Sequence, residues 1–156
     1  MKRAAWGVIL IIALTGPTQA DFDAGIAAFE RGDYATALQE WRPLAEQGHA
    51  EAQNYLGWMC RWGLGVSRDD AEAVRWYRKA AEQGIAEYMT RLASMYLLDW
   101  GVPQDDVKAH MWYDLAAAAG DKDAREFRDN LAREMTLVDI SMAQELAREW
   151  LEKHGE

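Results

Sequence analysis

The sequence predicts an all-α protein, an α-α solenoid of about four helix pairs. Two adjacent segments, 49–84 and 85–120, are identical at 14 positions when aligned without gaps at a spacing of 36 residues, whereas unrelated sequences would share about two. In each segment the apolar residues recur at intervals of three and four, which places them on one face of an α-helix. No stretch shows the alternation typical of a β-strand. Repeated helix pairs of this length bury their apolar faces by stacking on their neighbours, which produces a solenoid.

Residues 1–20 are predicted to be a signal peptide that is removed from the mature protein. Lys2-Arg3 gives the segment a basic start, residues 4–14 are an apolar run, and Gly16-Pro17 precedes the small residues of a cleavage site after Ala20. The run is shorter than the roughly 20 residues that span a bilayer, although an uncleaved anchor is the alternative. This pattern predicts a periplasmic or secreted protein that contacts the membrane only before cleavage.

The next segment, 21–48, is predicted to form the first helix pair. Gly32-Asp33-Tyr34 is typical of a tight turn between two helices. Pro43 falls inside the second helix, where it removes one backbone hydrogen bond and is expected to bend the axis. The solenoid therefore begins with a shorter turn than those of the repeats that follow.

Each of the two repeats, 49–84 and 85–120, is predicted to contain two helices. Asp69 is expected to cap the second helix of the first repeat, and Glu72, three residues later, completes a capping box. Asp105 takes the place of Asp69 in the second repeat. Gly57 occupies the position that holds Ala93 in the second repeat, which suggests that a neighbouring helix packs closely there.

The turn inside the first repeat, MCRWGLGV at 59–66, has two interpretations. It contains the only cysteine and two glycines, so it could be a reactive thiol on a ligand loop or an ordinary turn between helices. Cys60 aligns with Tyr96 on the buried helical face, which favours a packed, inert thiol. Asp99 replaces Gly63 in the second repeat, and aspartate tolerates a left-handed backbone. A phosphate-binding loop would follow a strand, and none precedes this turn.

Residues 121–156 are predicted to be a degenerate helix pair that caps the solenoid. Thr136 precedes an apolar stripe with helical spacing, whose members are Met142, Leu146, Trp150 and Leu151. The opposite side of this helix is polar, as a terminal repeat exposed to water requires.

The repeats resemble the Sel1-like repeat, a relative of the tetratricopeptide repeat with a longer turn. The resemblance rests on AEAQ at 50–53, GLGV at 63–66 and WYRKAAEQG at 76–84, whereas 21–48 looks more like a tetratricopeptide unit. It implies a solenoid that curves around a concave groove. It also implies a non-enzymatic adaptor or scaffold of the bacterial cell envelope that binds a protein or peptide partner through that groove.

The resemblance also implies which side chains face the groove, because tetratricopeptide-like first helices present particular positions there. These positions are Glu51, Asn54, Trp58, Arg61 and Trp62 in the first repeat, Glu87, Thr90, Ser94, Leu97 and Leu98 in the second, and Ile26 and Phe29 in segment 21–48. Two tryptophans flanking an arginine on one exposed helical face have the composition of a binding hot spot. The alternative is that neighbouring helices cover both tryptophans. Trp100 departs from its counterpart Leu64 and has no assigned role.

Other residue patterns indicate structure more than chemistry. The Trp-Tyr pairs at 76–77 and 112–113 could stack on a ligand, but their recurrence at equivalent helical positions favours packing between repeats. The Asp pairs at 69–70 and 105–106 could serve acid–base or metal chemistry, but they already have a role as helix caps. The three histidines lack the spacing of a zinc site. We therefore expect no metal and no cofactor.

Composition and motifs limit the other function classes. The chain has 17 basic and 26 acidic residues, a net charge of -9, which repels phosphate backbones and argues against nucleic-acid binding. The alternative function is a cell-wall-active enzyme or a β-lactam-binding protein, like the cysteine-rich secreted relatives of the Sel1-like family. This chain lacks their paired cysteines, and it has neither the Ser-x-x-Lys nor the Gly-x-Ser-x-Gly motif of a nucleophilic enzyme.

Overall fold

The computed structural model describes residues 18–155, which form eight α-helices and no β-strand. The helices are α1 (Gln19–Glu30), α2 (Tyr34–Glu46), α3 (Ala50–Trp62), α4 (Asp70–Ala81), α5 (Ala86–Leu97), α6 (Asp106–Ala118), α7 (Lys122–Ala132) and α8 (Leu137–His154). The predicted all-α solenoid is confirmed. Segment 1–17, most of the predicted signal peptide, lies outside the described residues. None of the helices described is both long and apolar enough to cross a bilayer.

The helices pack in the order of the chain until the last one. From α1 to α7 each helix contacts the next, whereas α8 packs mainly on α6. The C-terminal helices therefore cover the second helix of the second repeat from two sides. This arrangement closes the end of the solenoid.

The predicted aspartate caps and turns of the two repeats are present, but the capping box predicted for Glu72 is not. The Asp69 backbone N–H donates to the Cys60 carbonyl at 2.8 Å, and the Glu72 carboxylate pairs with Arg75. The Asp69 carboxylate accepts a hydrogen bond from the backbone N–H of Glu72 at 2.9 Å, and Asp105 accepts one from Lys108 at 2.9 Å. In the preceding turns, Gly63 has a φ of 65° and Asp99 a φ of 54°. Both residues are left-handed, as their shared place in the repeat predicts.

The buried side chains form two clusters, both of which contact Trp76. One cluster joins α1, α2 and α3 around Trp41, and the other extends from α3 and α4 to α8. Trp76 is half-buried, while Tyr77, Trp112 and Tyr113 are buried in the second cluster. The two Trp-Tyr pairs therefore pack the repeats together, as predicted.

Cys60 is a buried free cysteine in the second cluster. Burial raises the pKa of the Cys60 thiol, and the nearby carboxylates of Glu72 and Asp69 raise it further. Because the thiolate is the nucleophile, this environment favours the inert, packed interpretation of the cysteine.

Two glycines allow bulky aromatic rings to lie directly against a helix. A Cβ at Gly25 of α1 would come within 2.6 Å of Trp41 Cδ1, and a Cβ at Gly57 of α3 within 2.9 Å of Tyr77 Cε1. Trp41 is 0% exposed, and its Nε1 donates a hydrogen bond to the Phe22 carbonyl at 3.2 Å. The indole therefore has no room to move away from α1.

Replacement of Gly25 with alanine is expected to lower the free energy of unfolding by about 1–3 kcal/mol, the usual cost of overpacking a core. Helix propensity alone predicts the opposite sign, because alanine is better than glycine inside a helix by about 1 kcal/mol. Urea denaturation of Gly25→Ala measures the difference. Ala24→Gly, at the exposed neighbouring position, is the control and should cost about 1 kcal/mol. A stabilised Gly25→Ala protein would contradict the packing of Trp41.

An ion pair and a buried histidine lie where α6 meets the C-terminal helices. Arg128 Nη1 on α7 is 2.6 Å from Asp114 Oδ1 on α6. One turn earlier, His110 is 3% exposed, and its Nδ1 has no hydrogen-bond partner in the part of the chain that the structure describes. Burial lowers the pKa of His110, with Asp114 and Asp129 opposing the shift and Arg128 adding to it.

Because His110 is buried, the folded protein is expected to lose stability as the pH falls. This loss begins at a higher pH than the range in which aspartate and glutamate side chains titrate. Because the folded pKa of His110 is depressed, the unfolded chain takes up the proton first as the pH falls through about 6.5. The free energy of unfolding should then fall by up to about 1.4 kcal/mol per pH unit. The carboxylates with lowered pKa values, such as Asp33 and Asp121, contribute only below about pH 4.

The measurement is urea denaturation between pH 7 and pH 5. His110→Gln should flatten the pH dependence, whereas His154→Gln, at an exposed site near the C-terminus, should retain it. An unchanged slope in His110→Gln would show that His110 is not the group responsible.

Candidate functional site

A cavity of about 640 Å³ opens between α3, α4 and α5. Its floor is apolar and is formed by Tyr77 of α4 and Met95 of α5, both buried. This volume lies within the range of about 300–1,000 Å³ that is typical of ligand pockets. Most of the side chains that line the cavity belong to α3, α4 and α5, so the packing of these helices determines its shape.

Six of the side chains predicted to face the groove line this cavity. They are Trp58, Arg61, Trp62, Glu87, Thr90 and Ser94. They come from the first helices of the two repeats, as the resemblance to tetratricopeptide-like proteins implies. The structure therefore brings the two sets of positions to one surface.

The other predicted positions lie outside the cavity. Glu51 is exposed in the first turn of α3, and Asn54 is half-buried. Leu97 borders a separate cavity of about 230 Å³ with Tyr113 and Phe127. Leu98 is exposed, and Ile26 and Phe29 of α1 pack against the first core cluster.

Trp58 and Trp62 differ in how far neighbouring helices cover them. The ring of Phe29 lies 5.4 Å from that of Trp58, centroid to centroid, and leaves Trp58 38% exposed. Trp62 is 60% exposed. The alternative that neighbouring helices cover both tryptophans is therefore wrong, because both rings are exposed to solvent on the C-terminal half of α3.

Arg61 lies between aromatic rings from both repeats. Its guanidinium carbon is 3.8 Å from the ring centroid of Trp100 and 5.5 Å from that of Trp62. Both distances are within the range of a cation–π interaction. Trp100 follows the left-handed Asp99 in the turn after α5, and this turn carries the indole across to α3.

Five lining residues were not among the predicted groove positions: Tyr77, Arg91, Met95, Trp100 and Asp121. Trp100 carried a signal in the sequence, because a tryptophan there departs from the leucine of the first repeat. Arg91 lies one turn after Glu87, and its Nη2 is 3.2 Å from the Glu87 carboxylate. Tyr77 and Met95 carried no such signal, since their apolar spacing predicts only core packing.

The polar residues at the α5–α7 side of the cavity hydrogen-bond to one another. The Thr90 hydroxyl donates to Asp121 Oδ2 at 2.6 Å, which is the main reason that the pKa of Asp121 is lowered. Asp121 also caps α7 by accepting hydrogen bonds from two backbone N–H groups. The Ser94 and Tyr113 hydroxyl oxygens are 2.9 Å apart. The contact between Thr90 and Asp121 holds the start of α7 against α5, and the contact between Ser94 and Tyr113 joins α5 to α6.

The composition of the cavity is typical of a binding surface. Its lining contains no histidine or lysine that could serve as a base for Ser94. Among residues 18–155, no group of three His, Cys, Asp or Glu side chains is arranged to hold a metal ion. An apolar floor, three tryptophans and an arginine are instead typical of surfaces that bind other molecules.

The family and structure comparisons agree with this architecture. The Sel1 repeat model matches residues 50–85 and 86–121, one residue after each boundary that the internal repeat suggests. A Sel1 repeat protein from Oxalobacter formigenes is 32% identical, with a TM-score of 0.65, and the match covers 74% of this chain and 90% of that one. No curated protein matches the sequence.

A longer protein has a similar fold. A protective antigen of uropathogenic Escherichia coli that displays an SLR fold is 29% identical, with a TM-score of 0.79. The match covers 87% of this chain but only 30% of the antigen. Sel1 repeats generally mediate protein–protein interaction, and their fold is typically a non-enzymatic scaffold. By its repeats and by its fold, this chain belongs to the Sel1 repeat family.

Proposed function

We propose that this protein is a non-enzymatic adaptor that binds a protein or peptide partner through the cavity between α3 and α5. The observation that carries the proposal is the cluster of Trp58, Arg61 and Trp62, which the fold leaves open to solvent beside an apolar floor. Tryptophan and arginine dominate the binding energy of protein interfaces. The family supplies independent support, because Sel1 repeats generally mediate protein–protein interaction.

We also propose that the protein acts in the bacterial cell envelope. The support is the N-terminal pattern of a basic start, an apolar run and a cleavage site after Ala20. In the structure α1 begins at Gln19. Cleavage after Ala20 would therefore remove the first two residues of the helix and the Thr18 residue that caps it. Asp21 would then become the N-terminal residue of the mature chain.

The alternative of a cell-wall-active enzyme or a β-lactam-binding protein finds no support in the cavity. Ser94 is the one serine that lines it, and among the described residues its hydroxyl hydrogen-bonds with the Thr90 carbonyl and the Tyr113 hydroxyl. Hydrolysis of a chromogenic β-lactam by the purified protein is the assay that would revive this alternative.

Photo-crosslinking from position 62 in the native envelope is expected to capture a defined protein partner. A crosslinking amino acid at position 138 is the control, because Val138 is 71% exposed on α8 and lies outside the cavity. The proposal requires that mass spectrometry identify the same protein repeatedly from position 62 and not from position 138. Crosslinks only to lipid or to cell-wall glycan would contradict it.

Trp62→Ala is expected to weaken the captured partner's affinity by about 2 kcal/mol, roughly 30-fold, as for a hot-spot residue. Its free energy of unfolding should change by less than about 0.5 kcal/mol, because the side chain is largely exposed. Isothermal titration with the partner measures the affinity, and Val138→Ala is the matched control. An unchanged affinity in Trp62→Ala would remove this cavity from the interface.

The envelope proposal predicts a processed chain in the periplasmic or secreted fraction. Intact-mass measurement of the protein from that fraction should give the mass of residues 21–156. A protein of unprocessed mass that is found only in the cytoplasm would contradict the proposed location.

A further inference from the structure

Arg61 is a cation without an acidic partner in the described part of the chain. Within residues 18–155 its side chain forms no ion pair within 4.0 Å and no side-chain hydrogen bond. The chain carries 26 acidic residues, so an unpaired arginine in the lining of this cavity is a distinct feature of the site.

The other charged groups of the cavity already have partners. Arg91 contacts Glu87 through its Nη2 at 3.2 Å, and Asp121 accepts hydrogen bonds from Thr90 and from the start of α7. Arg61 is therefore the charged lining group, among the residues described, that is left for a ligand.

The orientation of Arg61 favours a carboxylate. A guanidinium is a planar fork of five N–H donors, and it can stack its face on an aromatic ring while its edge binds two carboxylate oxygens. In this structure Trp100 occupies the face at 3.8 Å, so the donors at the edge are not used by the stacking.

Glu51, Asp70 and Glu87 are each either distant from Arg61 or paired with another arginine. Asp70, whose pKa the charge of Arg61 helps to lower, forms its ion pair with Arg68 at 2.8 Å. Glu51 is in the first turn of α3 and Arg61 in its last turn, about 15 Å apart along the helix. This separation is nearly twice the Debye length of about 8 Å at physiological ionic strength. Glu87 occupies the matching first turn of α5, and its charge is compensated by Arg91.

We infer that the cavity selects acidic peptide segments in which a carboxylate stands next to a large apolar side chain. The carboxylate pairs with the edge of the Arg61 guanidinium. The apolar side chain enters between Trp58 and Trp62 and covers Tyr77 and Met95 on the floor. This inference rests on the proposed peptide-binding function and specifies the chemistry of its partner.

The test uses an array of random ten-residue peptides attached through their N-termini, each present with a free and with an amidated C-terminus. The purified protein is applied to the array, and the peptides that bind are resynthesised for measurement of Kd by fluorescence anisotropy. The expected binders are enriched in Asp or Glu adjacent to Phe, Trp or Leu and depleted in Lys and Arg. Loss of binding on amidation identifies a C-terminal carboxylate, and equal binding identifies a side-chain carboxylate; either result supports the inference.

Two independent changes then remove the ion pair. Arg61→Gln in the protein, or Asp→Asn and Glu→Gln in a selected peptide, should each raise Kd at least about tenfold. The peptide change leaves the protein unaltered, so the result does not depend on how the variant folds. Arg75→Gln, on the exposed part of α4 outside the cavity, is the matched control and should leave Kd unchanged.

The outcomes separate this inference from the proposed function. If peptides bind and Trp62→Ala weakens them, but they are neutral or basic and Arg61→Gln leaves Kd unchanged, the carboxylate inference is overturned while the peptide-binding function stands. If no peptide binds, or if Trp62→Ala has no effect on those that do, both are overturned.

Discussion

The approach of Tyr77 to Gly57 is the contact on which both the core and the cavity depend. The ring lies where a side chain of residue 57 would begin, and this closeness lets α4 pack directly on α3. Tyr77 belongs to the larger core cluster and at the same time forms the floor of the cavity. A side chain at position 57 would displace the ring and change both. The framework and the candidate site are thus built from the same helix–helix contact.

The two repeats share the residues that build their framework and differ at the exposed tryptophans and arginine of the candidate site. The positions that they share are caps, turns and core contacts, such as Asp69 and Asp105. The tryptophans and the unpaired arginine of the cavity instead stand at positions where the repeats differ, since Trp58 aligns with Ser94 and Arg61 with Leu97. The residues that the repeats share produce a regular solenoid. The residues that differ between the repeats give one surface an exposed aromatic and cationic composition. A short solenoid can in this way carry a single distinct site.

The fold and part of the candidate site follow from local sequence patterns. Asp69 is recognisable as a cap because its carboxylate reaches an N–H three residues away, and Asp99 is recognisable in a left-handed turn because few other side chains tolerate it. Trp58 and Trp62 follow from helical spacing and from the resemblance to groove-lining positions. Leu97 was placed on the same surface by that register, but its side chain turns toward Tyr113 and Phe127. Spacing along one helix does not specify which of two neighbouring helices a border residue will contact.

The sequence by itself determined the helices, their caps, the repeat and the family, because each of these depends on residues only a few positions apart or on a period of 36. Only the tertiary structure decided how α8 packs on α6, how far Phe29 covers Trp58, and that Trp100 lies on Arg61. These contacts join residues that are far apart in the chain, and they depend on the angles at which successive helices cross. Small changes in those angles move a side chain at the end of a helix by several ångströms. The position of the one unpaired cation in the described cavity was therefore set by packing between the repeats.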